Sequence, residues 1–223
     1  MPTKIKICGL TKPEDMDVIN ALQVELAGFV FYKASPRHLS QDRAAQLAAR
    51  CRPEMERVAL LVDPSDDEVD MAMAAISPHH LQLHGQESPE RVREIRGRGA
   101  CDIIKALPIE TPRDLAQARD YTAVADWFLF DAKPSPGGLP GGNGDPFDWK
   151  HLSAYDQSQA YLLAGGLTAE NVGRALAISQ APMVDISSGV ESAPGEKHPK
   201  RIEQFVKAVR QADTGTPDTA RKE

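Results

Sequence analysis

Four ionisable side chains stand at the ends of short apolar runs or within them: Cys8 in KIKIC, His84 in HLQLH, Asp131 in WFLFD and Asp185 in MVDIS. A thiol and a carboxyl are the groups that acid–base chemistry needs, one to remove a proton and one to supply it. Two turns rich in small residues add an anion-binding character. Gly165 and Gly166 follow one apolar run, and Ser187, Ser188 and Gly189 follow the next; at such turns backbone N–H groups can approach a phosphate closely. Arg37, in Ser35-Pro36-Arg37-His38, carries a planar fork able to take a carboxylate through two bonds. Each residue alone has a plain structural alternative. A lone cysteine packs as a small hydrophobe, a lone aspartate caps the next segment, and a loop arginine is commonly solvated.

The elements that would position these groups follow from the hydrophobic pattern. Short apolar runs at 4–8, 27–32, 57–62, 80–84, 102–107, 127–131, 160–164 and 183–187 alternate with stretches of helical period such as 41–50, 88–96, 111–119, 169–177 and 199–212. Eight strand–helix units in about 210 residues predict a single-domain α/β fold, a (β/α)8 barrel over 1–212. A doubly wound open sheet is the alternative, but neither of the two common nucleotide fingerprints occurs. In a barrel the functional groups gather at the C-terminal strand ends, and alternate residues point inward. Ile5, Ile7, Leu81 and Leu83 would then face the helices. Cys8, Gln82, His84, Asp131 and Asp185 would face the barrel interior, converging on one rim. His79 falls on the opposite face from His80 and His84, so no metal site is expected.

Composition narrows the class. The chain has 223 residues, 41% hydrophobic and 26% charged, with a formal charge of −6. Such a balance predicts a soluble domain without a nucleic-acid surface held by phosphate neutralisation. No run is long and apolar enough for a membrane span, and MPTKIKICGL does not read as a secretory signal, so a cytoplasmic location is expected. Cys8, Cys51 and Cys101 are too few and too widely spaced for a disulfide framework. The Pro/Gly-rich stretch 132–146 reads as a long functional loop and 213–223 as a disordered tail.

Seven motifs in order, spanning Lys4 to Phe205, resemble the phosphoribosylanthranilate isomerase family of tryptophan biosynthesis. They are KICGLT at 6–11, GFVFY with SPRHLS at 28–40, LQLHG at 81–85, FDAK at 130–133, GGNGDPFDW at 141–149, LAGGLTAENV at 163–172 and VDISSGVESAPGEK at 184–197. The resemblance implies an Amadori rearrangement of a small phosphorylated substrate without cofactor, by a monomer or homodimer. It implies Cys8 as general base, Asp131 as general acid and Arg37 as the holder of the anthranilate carboxylate. Gly165, Gly166, Ser187, Ser188 and Gly189 would form the phosphate cradle, with Gln82, His84 and Asp185 lining or supporting the site. Cys8 would benefit from a cation such as Lys6, and Asp131 from burial or a negative neighbour that keeps it protonated. One segment departs from the family pattern: Asn143 and Asp145 stand in 141–145 where a hydroxyl and a basic residue are usual. A histidine-pathway aminoaldose isomerase and a non-catalytic phosphate-binding barrel are the alternatives.

Overall fold

The computed structural model describes residues 2–133, 147–156 and 159–215. Among these, eight parallel strands close into a barrel: β1 (Lys4–Cys8), β2 (Leu26–Val30), β3 (Glu56–Leu61), β4 (His80–Leu83), β5 (Asp102–Ile109), β6 (Trp127–Ala132), β7 (Tyr161–Leu163) and β8 (Met183–Ile186). Pairing of β8 with β1 completes the closure and sets Lys6 beside Asp185. Around the barrel lie α1 (Pro13–Ala21), α2 (Gln41–Ala48), α3 (Asp66–Ile76), α4 (Pro89–Arg96), α5 (Ala118–Tyr121), α6 (Val172–Ser179) and α7 (Pro199–Thr214). Ser40, Ser65 and Ser88 start α2, α3 and α4 by accepting hydrogen bonds from the N–H groups of Arg43, Glu68 and Arg91, satisfying donors that a helix start leaves unpaired.

Strand alternation divides the apolar residues into two cores. Ile5, Ile7, Leu81, Leu83, Phe128, Phe130, Val184 and Ile186 pack outward against the helices. A smaller set, including Leu26, Val58, Ile104, Leu129, Leu162 and Met183, fills the barrel interior. Lys6 and Gln82 are also fully buried, so apolar packing gives way to polar side chains along β1 and β4. The inward and outward assignments expected for these strands hold.

Three local expectations need correction. The predicted helix at 111–119 is a 3₁₀ segment, Pro112–Gln117, leading into the single turn α5; Pro112 suits a first turn, and Thr111 and Asp114 bond reciprocally at its start. After β6 the described residues contain a 3₁₀ segment, Trp149–Ala154, in place of a helix. Residues 213 and 214, expected to be disordered, are instead helical, because α7 continues through Thr214, while Asp213 accepts bonds from the Thr3 N–H at 3.0 Å and hydroxyl at 2.6 Å. That contact ties the last helix to the start of β1. Most of the long loop, including 141–145, and residues 216–223 lie outside the described residues. No helix among the described residues is long and apolar enough to cross a membrane.

Candidate active site

Cys8, Arg37, His84, Asp131, Asp185 and Ser187 line one cleft of about 440 Å³, counting its open mouth. Val30, Leu60, Val62 and Tyr32 supply its apolar wall. A second cleft, about 510 Å³, lies between the 3₁₀ segments after β5 and β6 and holds none of these groups. The first is therefore the site with chemistry in it.

Cys8 ends β1 and is 4% exposed. Its neighbour across the β1–β2 ladder is Gly28, where an added Cβ would come within 2.9 Å of the thiol sulfur. Only glycine leaves the sulfur its space. Lys6, two residues earlier on the same face, bonds to Asp185 at 2.8 Å, and both are buried. Burial pushes the Cys8 thiol up; Lys6 and Lys197 draw it down while Asp185 opposes them, and the net shift is upward. For Lys6 burial acts downward, but Asp185 and Cys8 outweigh it and hold the ammonium above its usual range. Lys6 is thus a charged neighbour of the thiol, as expected, although burial dominates the outcome at Cys8.

Asp131 lies opposite, on β6, and is 8% exposed. Its Oδ1 accepts from the Ala132 N–H at 2.8 Å, and its Oδ2 lies 3.3 Å from His84 Nε2. Gln82 Nε2 lies 2.8 Å from His84 Nδ1. With that amide donating, Nε2 carries the ring hydrogen and directs it at Asp131. The side chains form a row, Gln82 to His84 to Asp131. Asp131 is buried, the first of the two surroundings expected for it, and its contacts in this row are N–H donors.

The chain from Ile5 to Ala208 matches the family model for N-(5'-phosphoribosyl)anthranilate (PRA) isomerase. It belongs to the PRA isomerase family. The isomerase of Azorhizobium caulinodans is 46% identical over 217 residues, covering 97% of this chain and 95% of that one. The crystal structure of the isomerase from Thermotoga maritima superposes with a TM-score of 0.84 at 31% identity, covering 93% and 98% of the two chains. A solved PRA isomerase in complex with reduced 1-(o-carboxyphenylamino)-1-deoxyribulose 5-phosphate gives 0.79 at 29% identity, with the same coverage.

The cleft gathers six of the sequence-derived site residues, Cys8, Arg37, His84, Asp131, Asp185 and Ser187. Gln82 is fully buried and does not line the cleft; it touches His84 instead. Asp185 lines the cleft, but its hydrogen bond goes to Lys6. The two small-residue turns meet directly, since a Cβ on Gly189 would lie 2.1 Å from the Leu167 carbonyl oxygen. Ser187 Oγ donates to the Cys8 carbonyl at 3.0 Å and so fastens this rim to β1. Ser188 and Gly189 form a short 3₁₀ turn, Ser188–Val190. Gly28, Glu191 and Lys197 were not singled out from the sequence, although all three lie within the quoted motifs.

Gly165 has a left-handed φ of +80°, and a Cβ there would lie 2.6 Å from the Ala132 nitrogen and 3.0 Å from Asp131 Oδ1. Gly165→Ala is expected to destabilise the fold by at least the roughly 1–2 kcal/mol of left-handed strain and to lower kcat/KM by displacing Asp131. Urea denaturation read beside steady-state kinetics checks both; a variant unchanged in both would show that the turn relaxes freely.

Proposed function

We propose that this protein converts N-(5'-phosphoribosyl)anthranilate to 1-(2-carboxyphenylamino)-1-deoxyribulose 5-phosphate by an Amadori rearrangement, with Cys8 as general base and Asp131 as general acid. The observation that carries the reading is the placement of a thiol on β1 and a carboxyl on β6 in the walls of one cleft. The protonated Asp131 gives its proton to the furanose ring oxygen as the C1–O bond breaks, and the lone pair of the anthranilate nitrogen forms the iminium. Cys8, as thiolate, then takes the C2 proton, the C2–H electrons neutralise the iminium, and the resulting enolamine tautomerises to the ketone. His84 and Gln82 hold the acid in place. Lys6, kept charged by Asp185, faces the thiolate. No cofactor takes part in these steps.

Substrate placement follows from the rest of the cleft. Arg37 takes the ring carboxylate, and the apolar wall of Val30, Leu60 and Val62 accepts the aromatic ring. Gly165, Gly166, Ser187, Ser188 and Gly189, at the ends of β7 and β8, receive the phosphate, the usual position for phosphate in this fold.

Freshly generated phosphoribosylanthranilate mixed with the protein should lose its fluorescence far faster than with Cys8→Ala. Turnover no greater than that of the variant would sink the assignment. Running the histidine-pathway aminoaldose in parallel separates the two isomerase readings.

A further inference from the structure

Beyond β8 the chain makes a small antiparallel hairpin, β9 (Glu191–Ala193) and β10 (Glu196–Lys197). Glu191, 5% exposed, points its carboxylate at Arg37: Nε donates to Oε1 at 2.7 Å and Nη2 to Oε2 at 2.8 Å. Lys197 Nζ donates to the same Oε1 at 2.7 Å, and the Gly195 N–H donates to Oε2 at 3.2 Å. Lys197 also donates to the Ser187 carbonyl at 3.1 Å and lies 3.2 Å from its hydroxyl. One buried carboxylate thereby joins the cleft arginine to the rim after β8.

A guanidinium has two edges suited to a carboxylate, the side edge formed by Nε and one terminal nitrogen, and the end formed by both terminal nitrogens. Glu191 occupies the side edge. Nη1 has no hydrogen-bond partner among the described residues, so the end remains for an incoming carboxylate. Charge balance matters as well. Arg37 with Glu191 alone is a neutral pair; Lys197, which burial draws below its usual range while Glu191 opposes that shift, adds its donor hydrogens and positive charge at 2.7 Å and so reduces the repulsion that Glu191 would otherwise exert on an anionic ring substituent.

We infer that Glu191 is a positioning residue for substrate specificity: by clamping the side edge of Arg37 it presents the other end to the ring carboxylate, with Lys197 offsetting its charge. The inference rests on the reading of Arg37 as the carboxylate receptor. Burial pushes the Glu191 carboxyl up, but bonds from Arg37 and Lys197 outweigh it and hold the group ionised.

The test compares two ligands by titration calorimetry: reduced 1-(o-carboxyphenylamino)-1-deoxyribulose 5-phosphate and the same molecule without its ring carboxyl. Glu191→Gln should reduce the preference for the carboxylated ligand by about tenfold or more, the scale of one charged hydrogen bond, with the loss concentrated on that ligand. A purely structural role would weaken both ligands alike, and that result, or an unchanged preference, overturns the inference. Glu191→Asp keeps the charge and shortens the reach; it carries the same expectation if the glutamine variant does not fold. Wild-type protein that turns over substrate but shows no preference for the carboxyl would remove Arg37 as receptor, and the inference with it, while leaving the isomerase reading intact. Wild-type protein without turnover would remove that reading instead.

Discussion

Replacing Cys8 by serine is expected to lower the rate of the chemical step by about 10²–10⁴-fold, the usual contribution of a positioned general base. Serine keeps the small volume beside Gly28, but its hydroxyl holds its proton far more tightly than a thiol, so the variant retains the shape and loses the base. Single-turnover measurement keeps slow product release from hiding the loss. Cys51→Ser is the control, since Cys51 is absent from the cleft residues. A near-normal rate for Cys8→Ser would take the thiol out of the mechanism.

The direction of the thiol shift fixes what pH should do. A base acts when deprotonated, and burial raises the Cys8 thiol despite Lys6 and Lys197; its titration therefore lies to the alkaline side of the roughly 8.5 of a free thiol. At neutral pH the thiolate is a small fraction of the free enzyme. The reaction needs that thiolate together with a protonated carboxyl, so kcat/KM follows the product of two fractions and is bell-shaped. Where the thiol titrates above the acid, the alkaline limb reports the thiol and the acidic limb the acid, because on the plateau between them one fraction rises as the other falls.

How far the sequence carries this picture differs between elements. Strands β1 and β4 were legible because KIKIC and HLQLH alternate strictly, and β6 and β8 because WFLFD and MVDIS are short apolar runs carrying one aspartate; in a closed barrel each inward residue near a C-terminal end reaches the same rim. Cys8, His84 and Asp131 followed from that rule alone. Gln82 obeyed the same rule, yet its depth along β4 buries it beneath His84, and periodicity gives direction without depth. Glu191 and Lys197 were harder to recognise. They sit on strands of three and two residues, too short for a periodic signal, and Arg37, the partner of Glu191, lies 154 positions from it. Among the described residues 3₁₀ turns replace the helices expected after β5 and β6 for a local reason: the buried residues there, Leu115 with Ala118 and Trp149 with Leu152 and Tyr155, recur every three positions, the period of a 3₁₀ turn.

Asp131→Asn offers the sharpest separation of acid from scaffold. The amide matches the carboxyl in size and can still accept from the Ala132 N–H at Oδ1, a 2.8 Å bond in the wild type, so substrate binding should be little changed. What it cannot do is release a proton to the furanose oxygen. A fall of about 10²–10⁴ in kcat is expected, with kcat/KM falling in parallel, the signature of an interaction made only in the transition state. The residual rate should also change shape with pH. Without the carboxyl only the thiolate fraction counts, so the acidic limb and plateau disappear and the rate climbs about tenfold per pH unit until the thiol has titrated. His84→Ala, which removes the contact to the acid and leaves Gln82 without its imidazole partner but keeps the carboxyl itself, should cost less and keep both limbs. Retained activity in Asp131→Asn with an unchanged acidic limb would show that the proton comes from another group, and His84, 3.3 Å from Asp131 Oδ2, would then be the nearest candidate.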